Sequence, residues 1–372
     1  MEQTLIGTEA YRDALAIRDL TDSAHGAHAL QLLVHSAINR LRAAWGCPVI
    51  VHRAHPAVPV VENYELLDIP ADAAARDARH TRYVSADTVL RTSTSAMIPS
   101  LLPSIAGADY VDVLLACVGL VYRRDRIDRQ SVGEPHQLDL WRICRRPVGD
   151  AELREMVAAV VEALLPNCEY RTNTTRHPYT VNGLEIEARS GQSWVEIAEC
   201  GLASPRVLGR GGLPVDRYRG LAMGIGLDRV LMLRKGIDDI RLLRSADERV
   251  ASQMLDLTRY RPVSAMPPIR RDLSIAVAAG TSAEQLGDRV RLALGERADA
   301  VEVVEVLSET PAEELPSQAA ARLGISPGQR NLLVRVILRH PTRTLTAEEA
   351  NRLRDQVYVA IHEGTAWQWA GR

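Results

Sequence analysis

Arg229 stands where the chain changes period. Residues 220–229 read GLAMGIGLDR, with small and apolar residues alternating as far as Gly226. From Leu227 onward, Val230, Leu231, Met232 and Leu233 continue as a buried helix that Gly236 closes. Gly220, Gly224 and Gly226 keep one side of the strand free of bulk, so a planar ligand can lie close to the backbone. Arg229 then falls in the first turn of a helix, where its guanidinium adds to the partial positive charge of the N-terminus and favours phosphate. An ordinary strand–helix corner with a surface arginine reads the same on this stretch alone.

A second stretch, residues 119–143, supplies charges that suit the same chemistry. Val121-Tyr122-Arg123-Arg124-Asp125 reads as a strand with Arg123 and Asp125 on one face. A polar, arginine-rich loop containing Ser131 follows, then a second strand from about residue 136 with Gln137 and Asp139 on one side. In LRTSTSA (90–96), Ser93 and Ser95 share one face of an extended segment, so both hydroxyls can meet one ligand. Glu185, Glu187 and Glu196 alternate along strands, which suits either the wet face of a sheet or a magnesium site.

At 372 residues the chain is long enough for two domains with real cores. A net charge of −2 means that a nucleic-acid partner would be met by local patches. Lys235 is the only lysine, a bias that a GC-rich genome explains. Cys47, Cys117, Cys144, Cys168 and Cys200 are scattered, which predicts neither a disulfide framework nor a zinc site. No apolar run approaches membrane-spanning length and the acidic N-terminus lacks the features of a signal peptide, so a cytoplasmic protein is expected.

The elements that must carry these residues follow in order. Residues 1–24 form a short helical extension. A helix over 27–45 places Leu30, Leu33, Val34, Ile38 and Leu41 on one stripe, and a strand over 48–52 follows. A connecting helix over 150–165 buries Leu153, Met156, Val157, Val160 and Leu164. After a proline-marked linker (256–268), strands over 269–277, 300–307, 331–339 and 366–370 alternate with helices opened by Ser282/Gln285 and Thr346/Glu349. A long Pro/Ala/Glu-rich loop separates the second and third of these strands. The order β-α-β-β-α-β is ferredoxin-like.

Residues 119–143 resemble motif 2 of the class II aminoacyl-tRNA synthetases, and residues 224–229 resemble their motif 3. NYELLDIPAD (63–72), LRTSTSA, VYRRDRID followed by HQL, WVEIAECG (194–201) and GLAMGIGLDR are similar, in order and spacing, to the single-chain, mitochondrial-type phenylalanyl-tRNA synthetases. The resemblance implies an α+β fold, with a catalytic domain (25–255) built on an antiparallel sheet flanked by helices and a ferredoxin-fold anticodon-binding domain (269–372). It also implies ATP and Mg²⁺ as cofactors, an amino acid and tRNA(Phe) as partners, and a chain that works as a monomer. By the same resemblance Arg123 meets the α-phosphate and the substrate carboxylate, and Asp125 the adenine or the amine. Gly226 and Arg229 complete the ATP site. Ser93, Ser95, Gln137 and Asp139 face the amino acid; His177 and Tyr179 clamp its ring over Ala222. Glu185 and Glu196 hold the metal. Arg270, Arg271, Arg339 and Arg343 contact RNA phosphates. Departures from the family pattern are Ser131 for a motif 2 histidine, Ser93 for His or Gln, Ile98 for Gln, and Glu199 for a glycine near the pocket floor.

The chain has no phenylalanine at all. Tyr64, Leu221, Met223 and Ile275 stand where the family commonly has it, inside the pocket and outside alike. Loss everywhere points to avoidance of the amino acid itself. Three readings follow: a phenylalanine–tRNA ligase, with an auxiliary or resistance copy as one form of it; an enzyme activating another aromatic amino acid for biosynthesis; or a non-catalytic RNA-binding paralogue.

Overall fold

Leu30, Leu33, Val34, Ile38 and Leu41 recur at helical spacing, and the helix Ala29–Trp45 buries all five. It stops at Gly46, whose φ of 65° is a left-handed conformation that glycine adopts without a Cβ clash. β1 (Val49–His52) follows directly. The computed structural model describes residues 5–108, 110–263 and 267–367. It divides into two compact units: one takes residues up to 123, 134–237 and 253–260, the other 124–133, 238–252 and 261 onward.

The first unit contains β2 (Ala57–Pro59), β3 (Thr88–Leu90), β4 (Asp112–Leu120), β5 (His136–Cys144), β6 (Tyr170–Thr174), β7 (Thr180–Ser190), β8 (Ser193–Ala203) and β9 (Arg219–Gly226). β2 and β3 pair with each other. The remaining seven strands form one sheet in the order β1-β4-β5-β9-β8-β7-β6. Only β1–β4 is parallel; every other pairing is antiparallel. Trp141, Ile143, Val113, Leu115 and Cys117 line one face and bury against Ile98, Leu102 and Ile105 of the helix Ile98–Gly107. On the opposite face Arg142 lies over the Trp45 ring at 4.3 Å, at the end of the helix Ala29–Trp45. The fold is therefore mixed α+β with an antiparallel-dominated sheet flanked by helices.

The second unit has β10 (Ile269–Ala278), β11 (Val301–Pro311) and β12 (Gln329–Leu338), antiparallel in the order β10-β12-β11. Helices Ala283–Leu294 and Ala347–Ile361 open on capping boxes, Ser282 with Gln285 and Thr346 with Glu349, as the spacing predicts. Leu286, Val290, Leu353, Val357 and Ile361 bury against Ile275, Val277, Val334 and Val336. The sequence reading leaves 308–330 as a loop, whereas β11 runs to Pro311, Ser317–Leu323 is helical and β12 begins at Gln329. The expected final strand falls mostly outside the described residues.

Two other expectations are corrected. The strand expected over 121–125 does not form: β4 ends at Leu120. Val121 and Tyr122 still donate their N–H groups to Pro135 and Arg91 carbonyls, and then the chain leaves the ladder. Arg124–Gly133 belongs to the second unit, where Ile127 enters the core and Arg124 pairs with Asp288 at 3.4 Å. Its backbone passes so close to Gly287 that a Cβ there would lie 2.7 Å from the Asp125 carbonyl oxygen. Nor is 93–95 extended: Thr94–Met97 is a 3₁₀ turn that leads into the helix Ile98–Gly107. Among the described residues no helix is long and apolar enough to cross a membrane.

Tyr358 is buried in the second unit, its ring 4.7 Å from His362 and edge-on to Trp367 at 6.1 Å. Its hydroxyl finds no hydrogen-bond partner among the described residues. Burial of an unpartnered hydroxyl is unfavourable, so Tyr358→Phe is expected to leave the protein equally stable or up to ~1 kcal/mol more stable in denaturant melts. A loss of stability would show that the hydroxyl has a partner.

Candidate active site

Register across the sheet makes one polar row. Asp139 on β5 lies opposite Gly224 on β9, Gly224 opposite Glu199 on β8, and Glu199 opposite Glu185 on β7. Two residues along, on the same face, the row is Trp141–Ala222–Gly201. Gly224 and Ala222 thus leave a slot on the sheet between the side chains of β5 and β8. A Cβ at Gly224 would already touch the Asp139 carboxylate, at 3.6 Å from Oδ2.

Asp139 is buried. Its carboxylate accepts from Thr94 Oγ1 at 2.6 Å, Ser95 Oγ at 2.7 Å and Trp141 Nε1 at 3.3 Å. Burial pushes this carboxyl up and Glu199 adds to the effect, while the three donors oppose it. The Thr94 N–H also donates to Gln137 Oε1 at 3.3 Å. Ser95 therefore turns inward onto Asp139, and Ser93, half-buried, precedes the turn. The two hydroxyls do not share a strand face.

Aromatic side chains wall the slot. Tyr179 stacks near Trp141 with centroids 6.3 Å apart, and His177 lies 5.7 Å from Tyr179. His177 Nε2 is 3.0 Å from Glu199 Oε2. Burial raises the Tyr179 phenol, and the Asp139 and Glu199 carboxylates raise it further, so it stays a neutral donor. Ser95 and Arg123 act on the same hydroxyl in the opposite direction.

Two guanidinium groups approach this row. Arg229 Nη1 donates to the Glu196 carbonyl at 3.3 Å and lies 3.5 Å from its carboxylate. Arg123 donates from Nε to the Thr92 carbonyl at 2.7 Å, and its own carbonyl accepts from Arg82 Nη2 at 3.2 Å. Burial raises the Glu196 carboxyl, as do Glu199 and Glu185, and both Arg229 and Arg123 pull it down. No described group of three or more His, Cys, Asp or Glu is arranged to hold a metal ion. Glu185 adds to the upward shift of the Glu196 carboxyl, and paired carboxylates are oxygen donors of the type a hard divalent cation takes.

Asp125 and Ser131 lie in Arg124–Gly133 and so belong to the second unit. There the Asp125 carbonyl accepts from Arg291 Nη1 at 2.7 Å. Of the arginines expected on RNA, Arg271 bonds Asn351 Oδ1 at 3.2 Å, Arg339 pairs with Glu302 at 2.5 Å and Arg343 with Glu349 at 3.0 Å; Arg270 is exposed.

Sequence reasoning missed Trp141, Thr94 and the pair His136–Asp228. Trp141 was accessible, because it follows Asp139 at strand period on the same face. His136 is fully buried: Nδ1 lies 3.0 Å from Asp228 Oδ1 and Nε2 accepts the Leu20 N–H at 3.0 Å. The Asp228 carboxylate also accepts the His136 backbone N–H at 2.5 Å. Asp228 adjoins Arg229, so this histidine ties the start of β5 to the first turn of the helix Leu227–Lys235.

Comparison with known proteins identifies the family. The tRNA synthetases class II core domain (F) matches residues 49–254. The chain belongs to this class II synthetase family. It is 33% identical over 191 residues to the phenylalanine–tRNA ligase alpha subunit of Prochlorococcus marinus (strain NATL2A), covering 51% of the chain and 56% of that subunit. The chain thus spans little more than half the length of that relative. A probable mitochondrial phenylalanine–tRNA ligase of Drosophila melanogaster is 26% identical over 398 residues, covering 90% of the chain and 83% of that protein. Among solved structures, pyrrolysyl-tRNA synthetase from Desulfitobacterium hafniense is 18% identical with a TM-score of 0.48, covering 63% of this chain and 77% of that one.

His136→Ala strands the Leu20 N–H and one side of the Asp228 carboxylate in a dry interior. Loss of a hydrogen bond to a charged group is expected to cost about 1.5–3 kcal/mol in denaturant melts. His136→Asn, which can restore one of the bonds, is expected to lose less; equal losses would show that ring volume, not hydrogen bonding, is what matters.

Proposed function

We propose that the chain is a phenylalanine–tRNA ligase. The substrate carboxylate attacks the α-phosphorus of ATP, the bond to pyrophosphate breaks, and an aminoacyl-adenylate forms. A terminal ribose hydroxyl of tRNA(Phe) then attacks the acyl carbon and AMP leaves. The observation that carries this reading is the Arg229 guanidinium 3.5 Å from the Glu196 carboxylate, beside a slot floored by Gly224 and Ala222 in the row Asp139–Gly224–Glu199. Two anions have to meet for adenylation, and placed guanidinium groups offset their repulsion and the charge that builds on the phosphoryl oxygens.

The remaining residues take their roles from position. Tyr179, Trp141 and Ala222 form the wall and floor for an aromatic ring. Gln137, Glu199 and the buried Asp139 supply the negative side that suits an ammonium group, with Ser95 and Thr94 fixing Asp139. Glu185 and Glu196 are the residues that would hold Mg²⁺, which when bound neutralises phosphate charge. Gly226 leaves the backbone open beside Arg229. Asp125 and Ser131 are assigned to the ATP side on resemblance alone. Residues 269–372 are assigned to anticodon binding, with the exposed Arg270 as the first phosphate contact, and the enzyme is taken to act as a cytoplasmic monomer.

Exchange of labelled pyrophosphate into ATP is expected with phenylalanine, and charging with tRNA(Phe). Arg229→Ala is expected to lower exchange by about 10²–10³-fold, the scale for removing a charge-stabilising donor, with an unchanged melting curve. Substantial exchange by the variant would break the assignment of Arg229. Exchange with a different aromatic amino acid and none with phenylalanine would overturn the substrate.

A further inference from the structure

The chain contains no phenylalanine in 372 residues, yet it has ten tyrosines and five tryptophans. Base composition does not account for this. Codons for tyrosine and phenylalanine differ only in A or T at the second position, so a bias against A and T thins both. Packing does not account for it either. Tyr64, Leu221, Met223 and Ile275 are all buried, in cores that take large apolar side chains. Tyr64 has been given partners for its hydroxyl, the Ala75 carbonyl at 3.1 Å and Thr81 Oγ1. Tyr358 has none. A phenylalanine at 358 would fill the same space and bury no orphan hydroxyl, so nothing in that site excludes it. The exclusion covers the ligand slot, the first unit's core and the second unit's core, and it follows the amino acid rather than any position.

We propose that this chain is built to be translated when phenylalanyl-tRNA is missing or mischarged, and that its function is to restore that pool. The inference rests on the ligase reading above. A ligase that contains phenylalanine requires its own product to be remade; once charged tRNA(Phe) runs out, replacement stops. A phenylalanine-free ligase escapes that loop. It keeps its sequence intact even when tRNA(Phe) carries the wrong amino acid.

The test compares two enzymes that differ only in phenylalanine content. Tyr11→Phe, Tyr170→Phe and Tyr358→Phe are combined in one variant; these tyrosines lie outside the site, Tyr170 being exposed and Tyr11 at the edge of a separate apolar cluster. Purified wild type and variant are expected to charge tRNA(Phe) equally. In cells whose resident phenylalanine–tRNA ligase is depleted, each gene is then induced only after charged tRNA(Phe) has run down. The wild type is expected to accumulate at full length and to restore charging; the variant is expected to lose both. Equal rescue by the two overturns the inference, as does a wild type that accumulates but leaves tRNA(Phe) uncharged in the cell while charging it when purified. A purified wild type that charges no tRNA(Phe) sinks the ligase reading instead, and the test-tube assay tells that failure apart.

Discussion

A carboxylate buried in the middle of an antiparallel sheet sets the terms for much of the first unit. Asp139 is 2% exposed, and a charge removed from water is tolerable only when its lone pairs are met. Two of its three donors come from the turn Thr94–Met97, so that turn has to sit against β5. The turn in turn sets the start of the helix Ile98–Gly107, whose apolar side covers Trp141, Ile143 and Leu115. One sheet face is thereby dry toward Ile143 and polar toward Gln137. A ligand with a ring at one end and charges at the other matches that gradient.

The next tier of the site is an excess of negative charge and its compensation. Glu199 and Glu185 both raise the Glu196 carboxyl, and Glu199 in turn lies 3.0 Å from the His177 ring. Two arginines moderate Glu196 without neutralising the cluster. Both are held by neighbours rather than left mobile. Arg123 is gripped through its side chain by the Thr92 carbonyl and through its backbone by Arg82, itself paired with Glu134. Arg229 follows Asp228, which is locked to His136. Preorganised charge of this kind is what stabilises a developing anion, because nothing has to reorient as the reaction proceeds.

What the sequence disclosed and what it hid divide along the range of the forces involved. The helix Ala29–Trp45, the corner at Gly226 and the two capping boxes were legible because their determinants lie within a few residues of one another. The row Asp139–Gly224–Glu199 was half legible: each residue was singled out, but only strand register shows that they are neighbours. Residues 121–125 look like a strand because Val121, Tyr122 and the following charges alternate, yet Ile127 is drawn into the second unit's core and the ladder ends. Ser93 and Ser95 alternate as a strand would, and the demand of Asp139 for donors turns the segment instead. In both places a long-range contact overrides local pattern. Trp141 is readable from its strand spacing, yet a buried aromatic beside a buried acid is an ordinary core feature until its aromatic partner, Tyr179, stands against it.

The absence of phenylalanine also shapes the site itself. A purely hydrocarbon ring at 179 would need no hydrogen bond, whereas a tyrosine there carries a hydroxyl into the field of Asp139 and Glu199. Burial first and those carboxylates second push the phenol up, while Arg123 and Ser95 act in the opposite direction. The same holds one turn of chain earlier, where His177 brings two ring nitrogens to a wall that a phenyl group would have left apolar, and Glu199 meets one of them at 3.0 Å. A glycine at 199 would leave that nitrogen without its acid. The polar edge of the slot therefore comes from aromatics that bring polar atoms to the wall, with a carboxylate on β8 set 3.0 Å from one of them.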